Sequence, residues 1–565
     1  MIITKNKMVI YQVLPRLFGN DTKTLKFNGT IEENGVGKLN DFTPKALKAI
    51  KALGVTHIWY TGVLEHATKT KYEGIEPDPT VIVKGNAGSP YAIKDYYDID
   101  PDLAVNVAER KEEFRALVKR THAEGMKVII DFVPNHVSRH YQADAMPEGV
   151  CALGEADDTS QAFNPNNNFY YIPNESLHLP FSPQEGEAVY DEYPAKVTGN
   201  DHFDAYPSET DWYEAAKLNY GVDYLDGAKT YFDPIPDTWK KMLDILCYWV
   251  GFGVDAFRCD MVEMVPVDFW HWVIPQVKAQ NQTLEFIAEV YQPDRYHAYI
   301  NEGGFDYLYN KVGLYDTLKA IMCKTAPASD LTKRWQEVDA IQAHMLNFLE
   351  NHDEVRIGSR YFVGDPMAAM PAMVVSTLMH SNPIMIYSGQ EFGEQAMNRE
   401  GFGGSDGRTT IFDYWSVQTV REWRNGGRFD GAKMTEEAKQ YWQCYADIIQ
   451  LASTDPVMIN GDFYDLGYAN AANAGFDRNC LFAFMRHYKN EVLLIVVNFS
   501  GEKQKACVKI PEDVFKALDF AENTVAKVSQ ILPISEKTSI GTLTSAWPYE
   551  IKINGYESKI IRFTY

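Results

Sequence analysis

The sequence predicts an α/β protein built on a closed (β/α)8 barrel, the TIM-barrel class, and three observations lead there. Short apolar segments of strand type alternate with helical segments as far as residue 389. That alternation is the mark of parallel βα units. The segments number about eight, which favours a closed barrel over an open doubly wound sheet, and no GxGxxG follows a strand. Polar groups gather at the C-terminal ends of the strands, where barrels carry their sites.

The elements follow in order. "VIYQVLP" (9–15) reads as the first strand. "FTPKALKAIKALG" (42–54) reads as a helix with Thr43 as cap, Pro44 in the first turn and Leu47, Ile50 and Leu53 as its apolar stripe. "VTHIWYTGV" (55–63) is the next strand, "KEEFRALVKRTHAEG" (111–125) a helix and "MKVIIDFVPNH" (126–136) the third strand. "TWKKMLDILCYWVGFG" leads into "VDAFRCDM", and "DFWHWVIPQVKAQN" into "LEFIAEV". "HMLNFLENHD" (344–353), "PAMVVSTLMHSN" (371–382) and "PIMIYSG" (383–389) continue the pattern. The connection after His136 is too long and too rich in Asn, Asp, Gly, Pro and Tyr for a plain loop, so it predicts an inserted subdomain over the top of the barrel. After the helix at 436–454 the texture becomes short strands and turns, which predicts a C-terminal antiparallel β-sandwich. The expected division is 1–136 and 230–454 for the barrel, 137–229 for the insert and 455–565 for the sandwich.

Composition bounds the function. A chain of 565 residues with 45% hydrophobic and 23% charged residues is an ordinary globular protein of two or three domains. The net charge of −23 argues against nucleic acid or an anionic membrane as partner. No run of about 18 apolar residues offers a membrane span. The N-terminal "MIITKNKMVIYQVLPRLF" carries Lys5 and Lys7, but Gln12 and Pro15 interrupt its apolar run. It reads as a first strand rather than a signal peptide, and a cytoplasmic location is expected. Seven scattered cysteines form no CxxC pair, so neither a disulfide framework nor a zinc site is expected.

The strand ends carry the chemistry. "DFVPNH" ends the third strand with Asp131, Asn135 and His136; "VDAFRCD" ends the fourth with Arg258 and Asp260. "EFIAEV" ends the fifth with Glu289, and "NFLENHD" the seventh with His352 and Asp353. Alternation along a strand puts Arg258 and Asp260 on one face, where the cation is expected to lower the pKa of the acid. Taken singly, each of these residues is ordinarily a turn, a cap or a structural ion pair. Together they aim three carboxylates at one spot, and an ionised Asp beside a carboxyl of raised pKa is what retaining glycoside hydrolysis requires.

These segments resemble, in order, the motifs of the α-amylase family of glycoside hydrolases, and "YQVLPRLF", "SPYAIKDYYDIDPDL" and "IYSGQEFGE" are similar to further family segments. The resemblance covers nearly the whole chain. It implies Asp260 as nucleophile, Glu289 as acid/base and Asp353 as the third carboxylate that steadies the transition state. It implies Tyr91 as the ring that stacks on the sugar at the cleavage point, with His136, Arg258 and His352 binding that sugar and orienting the nucleophile. Asp131 and Asn135 match more structural positions, the Asn often a calcium ligand. The chain departs from the pattern in three places: Ser89 replaces a sugar-binding His, Glu263 and Met264 replace a Lys–His pair on the leaving-group side, and Lys217 replaces an Asp that helps hold calcium. Accordingly no cofactor or metal is required, although "GNDTKTLKFNG" (19–29) is a loop that could take calcium.

The expected activity is retaining hydrolysis of α-1,4-glucosidic bonds in starch-derived glucans or maltooligosaccharides through a covalent glycosyl-enzyme intermediate. Three alternatives stay open: a transglycosidase of the 4-α-glucanotransferase type, with Met264 shielding an acceptor; a non-catalytic glycan-binding relative; and a metal-dependent hydrolase using the histidines.

Overall fold

A computed structural model describes residues 7–183, 189–402 and 405–565, without the side chains of 534–537. The expected first-strand segment therefore begins, with Lys5, outside the described residues, and so does part of the insert. Eight parallel strands close into a barrel: β1 (Val9–Val13), β2 (His57–Tyr60), β3 (Lys127–Phe132), β4 (Ala256–Cys259), β5 (Glu285–Ala288), β6 (Tyr307–Tyr309), β7 (Met345–Phe348) and β8 (Ile384–Tyr387). Each pairs with its neighbours in sequence, and β8 closes on β1. The strands are short, buried and apolar because helices cover the outside while side chains fill the inside.

Sequence signals set these elements locally. The helix Pro44–Lys51 starts where the Thr43 hydroxyl accepts the Ala46 N–H at 3.2 Å, with Pro44 in the first turn. Leu47 and Ile50 are buried, and Gly54 turns the chain at φ +95°. The sixth strand is the element that the apolar pattern left unnamed. It has three residues, and only Tyr307 and Leu308 pair with β5, so no period could reveal it.

The insert leaves at the end of β3 and is tied back at once. His136–Ser138 pairs antiparallel with Ala215–Lys217, and two further two-stranded ribbons, Tyr171–Ile172 with Ala195–Lys196 and Val222–Asp223 with Lys229–Thr230, follow. The C-terminal region holds a six-stranded antiparallel sheet and a two-stranded one. "EVLLIVVN" (Glu491–Asn498) explains its own composition: Leu493, Ile495 and Val497 pack into the main core, while Val492, Leu494 and Val496 fill a second core. A strand buried on both faces reads as a continuous apolar run. Among the described residues no helix is long and apolar enough to cross a membrane.

Candidate active site

The barrel ladder positions the two central carboxylates directly. The Asp260 N–H donates to the Phe132 carbonyl at 2.9 Å, and the Glu289 N–H donates to the Cys259 carbonyl at 3.1 Å. Each acid thus continues the register of its strand by one residue, on the side of the barrel that opens. The next residue, Met261, has φ +43°, and its N–H donates to Glu289 Oε2 at 2.9 Å. Asp353 stands on the turn after β7, where Asn351 Oδ1 accepts the N–H groups of Asp353 and Glu354, each at 2.9 Å.

Arg258 joins these acids from beneath. It is fully buried, and its guanidinium meets Asp260 Oδ1 at 2.6 Å, Glu289 Oε2 at 3.0 Å and Asp131 Oδ1 at 3.6 Å. Its Nε donates to the Tyr309 hydroxyl at 3.1 Å, and the rings of Trp59, Tyr91 and Tyr309 surround it at 5.2–5.5 Å. Asp131 is engaged elsewhere: its carboxylate accepts from Trp59 Nε1 at 3.0 Å, the Gly62 N–H at 3.2 Å and the Tyr91 hydroxyl at 3.3 Å. It holds the floor of the site. His352 accepts the Gln12 amide at Nδ1 (2.7 Å), which leaves its Nε2–H toward Asp353 Oδ2 at 3.0 Å and the Tyr91 hydroxyl at 2.6 Å. The Tyr91 and His352 rings stack 5.1 Å apart.

The electrostatics differ from one acid to the next. Burial, reinforced by Asp260 and Asp353, pushes Glu289 up to about 7 against the pull of Arg258. Burial also raises Asp260, and Arg258 only moderates it. This corrects the expectation that Arg258 sets Asp260 below the usual range: one guanidinium is divided among three carboxylates, and desolvation wins. At Asp353 burial works upward, but His352 and Arg258 hold the group low. Burial, with Lys217 and Lys84 nearby, lowers His136 to about 3, so its ring is neutral.

Asp260, Glu289, Asp353, Tyr91, His136 and His352 line one cavity of about 360 Å³, with Arg258 under its floor. Sequence reasoning did not foresee Lys84, Trp212, Glu214, Tyr291, Lys311 or Phe412 in the same wall. All but Lys311, which opens the π-helix Lys311–Tyr315, come from irregular loops, where no periodicity marks a side chain. Tyr291 sits two residues past Glu289 and donates its hydroxyl to Glu289 Oε1 at 2.6 Å. Glu263 and Met264 do not line the cavity; Met261 does. Glu263 instead accepts the N–H groups of Tyr291 and Gln292 at 3.0 and 3.1 Å, fixing the loop that carries Tyr291.

Two places bear on metals. At the calcium-type position Lys217 is buried, its ammonium 2.5 Å from Asp201 Oδ1 and 3.0 Å from Asn135 Oδ1. A fixed ammonium there does not fit a calcium ion between the same oxygens. In the loop 19–29, Asp21 meets Arg424 at 2.8 Å. The one group of acids among the described residues spaced as a metal site would be is Glu65, Asp95, Asp98 and Asp144, whose oxygens lie within 4.8 Å of one another. Asp98 of that group already pairs with Arg110 at 2.5 Å.

Comparison with known proteins identifies the family. Residues 12–458 match the family model for the alpha amylase catalytic domain. The chain is 22% identical to trehalose-6-phosphate hydrolase from Bacillus subtilis (strain 168), over 90% of this chain and 91% of that one. It is also 22% identical to an intracellular maltogenic amylase from Bacillus subtilis, over 69% of this chain and 56% of the other. Its fold superposes on that of the maltogenic alpha-amylase AmyB from Thermotoga neapolitana with a TM-score of 0.62 at 19% identity, covering all of both chains. A match that runs from within the first barrel strand past the last, joined to strand-end carboxylates around one cavity, makes this chain a glycoside hydrolase belonging to the alpha-amylase family.

Proposed function

We propose that this protein hydrolyses α-1,4-glucosidic bonds of maltooligosaccharides, with retention of configuration, through a glycosyl intermediate on Asp260. The observation that carries the reading is the division of Arg258 between Asp260 and Glu289 under a cavity that both acids line. Asp260 attacks the anomeric carbon while Glu289, protonated through its raised pKa, gives its proton to the departing oxygen. Water then attacks the same carbon, Glu289 takes a proton from it, and the Asp260–sugar bond breaks. Asp353, held ionised by His352 and Arg258, faces the positive charge that develops on the sugar ring. Tyr91 offers its ring face to that sugar, and neutral His136 offers a hydrogen bond.

No calcium is needed in this reading, because Lys217 supplies the positive charge between Asn135 and Asp201. A cytoplasmic location fits the seven free cysteines. The transfer alternative rested on Met264. The apolar wall beside Glu289 is instead Met261 and Tyr291, and a maltotetraose digest decides: hydrolysis only shortens the chain, whereas transfer also lengthens it. Incubation with maltooligosaccharides that yields no cleavage would overturn the proposal.

A further inference from the structure

Lys84 and Glu214 belong to different parts of the fold and meet across the cavity wall. Lys84 lies in the loop after β2, Glu214 in the insert after β3, and Lys84 Nζ stands 2.7 Å from Glu214 Oε1. The side chains are only 13% and 8% exposed, so this is not a loose surface pair. Both ends are fixed. Gly85, at φ +63°, lets the backbone pass the Phe412 carbonyl at a distance that any Cβ would violate, and the Ala87 N–H donates to that same carbonyl at 3.0 Å. The Glu214 carbonyl accepts the Arg139 N–H at 2.9 Å, and the next residue begins the Ala215–Lys217 strand.

Two spaces meet near this wall: the pair lines one, and its chain neighbours Val83, Gly85 and Tyr213 line the other. The first is the catalytic cavity. The second is a groove of about 730 Å³, walled by Phe27, Gly85, Phe181, Tyr213 and Phe402 among others. Tyr213 adjoins Glu214, and its ring lies 5.4 Å from Lys84 Nζ. The barrel order sets the direction. The second groove is built from the loops after β1, β2 and β8 together with the insert, whereas Glu289 and Tyr291 follow β5 and Met261 follows β4, across the barrel. The proton donor marks the side on which the leaving group departs. In an α-1,4-glucan the opposite side receives the 4-hydroxyl end of the chain.

We infer that the Lys84–Glu214 ion pair closes the cavity at the end remote from Glu289, so that the enzyme accepts glucans by their non-reducing end and cannot cut inside a chain. Glu214 Oε2 is buried and accepts no hydrogen bond. An acceptor left in that state is costly, and the hydroxyl of a terminal sugar would satisfy it. The pair thus acts as a stop and as the group that reads the chain end. This inference rests on the α-glucan reading above.

The test uses maltoheptaose carrying a fluorescent label at its reducing end, with the terminal 4- and 6-hydroxyls at the other end either free or bridged by an ethylidene group. The expected result is that the free substrate shortens stepwise, the label staying in the longest products, and that bridging slows hydrolysis at least roughly a hundredfold, the scale of a group excluded from a fitted site. Early labelled products spread over mid-chain lengths, or rates within about threefold for the two substrates, would overturn the inference while leaving the α-glucan reading intact. Hydrolysis of neither substrate overturns both. The double variant Lys84→Met, Glu214→Gln should raise the blocked-to-free rate ratio at least roughly tenfold; an unchanged ratio in a folded variant shows that something else closes the cavity. The labelled-product pattern needs no variant and decides the question if this one fails to fold.

Discussion

Carboxylates crowd together in the cavity and again in a hairpin beside it, and the two groups are crowded differently. Asp260, Glu289 and Asp353 line the cavity above a single guanidinium. Glu65, Asp95 and Asp98 stand on the antiparallel hairpin of Leu64–His66 and Ile93–Ile99, whose connection carries Tyr91, and Asp144 reaches them from the insert. Three of these four are buried. Burial, with its acidic neighbours, pushes Glu65 up to about 9, and burial raises Asp95 to about 6. Glu65 is thus displaced further than Glu289. Perturbation alone would therefore have chosen the hairpin over the cavity. What distinguishes the cavity is an opening, a cation shared between two acids, and a third acid held ionised by its own histidine. In the hairpin, Asp95 is spent on the backbone N–H groups of Tyr97, Asp144 and Ala145.

The sharpest way to break this comparison is to neutralise each group in turn. Asp260→Asn, Glu289→Gln and Asp353→Asn should each lower kcat at least roughly a thousandfold, the scale for removing a participating group, while circular dichroism stays native. Glu65→Gln should leave kcat within about twofold. Near-normal activity in any of the first three, or a large loss in the last, reverses the distinction.

Tyr291→Phe probes the cavity more finely. Activity requires Glu289 protonated, so the alkaline limb of kcat/KM should fall near pH 7. The Tyr291 hydroxyl stabilises the ionised form of Glu289. Removing it should move that limb upward, by several tenths of a pH unit, the size expected for one hydrogen bond to a charged group. A limb that stays in place or moves downward contradicts Glu289 as the acid.

Lys217→Met leaves Asn135 and Asp201 without their cation, and should destabilise by on the order of 2 kcal/mol, less than for a fully buried pair because Asp201 is 40% exposed. Chelation by EDTA should leave wild-type activity unchanged. A fall on chelation restored by calcium would return a metal to the account.

The smallest effect belongs to the hairpin. Folded Glu65 keeps its proton at pH values where the unfolded chain has released it, so its contribution to stability falls as pH rises from about 4.5 toward about 9. Glu65→Gln should raise Tm by about 2 °C or more at pH 8 and change little at pH 4. A lower Tm at pH 8 would mean that the charged form is the one the fold wants.

The parts legible in the sequence are those with a period or a position. Strands β1 to β5, β7 and β8 showed as apolar runs, and Asp260 and Glu289 were readable because they stand one residue past strands of known direction. Tyr309 was missed with β6, a strand of three residues. Lys84, Trp212 and Glu214 were missed because they sit on loops whose path is set by distant partners, such as Gly85 against Phe412. Arg258 meets Asp260 as strand alternation implied, but its effect on Asp260 differs from the expectation: a sequence displays the nearest anion, and not the second and third that share the cation.

The central claim is that Asp260 attacks the sugar and Glu289 assists. A 2-deoxy-2-fluoro or 5-fluoro glycosyl fluoride slows breakdown of the intermediate, so that peptide mass spectrometry can locate the adduct. The account predicts a glycosyl group on the peptide containing Asp260, and the α-anomer as first product by proton NMR of fresh digests. An adduct elsewhere, or a first product in the β-configuration, would contradict it.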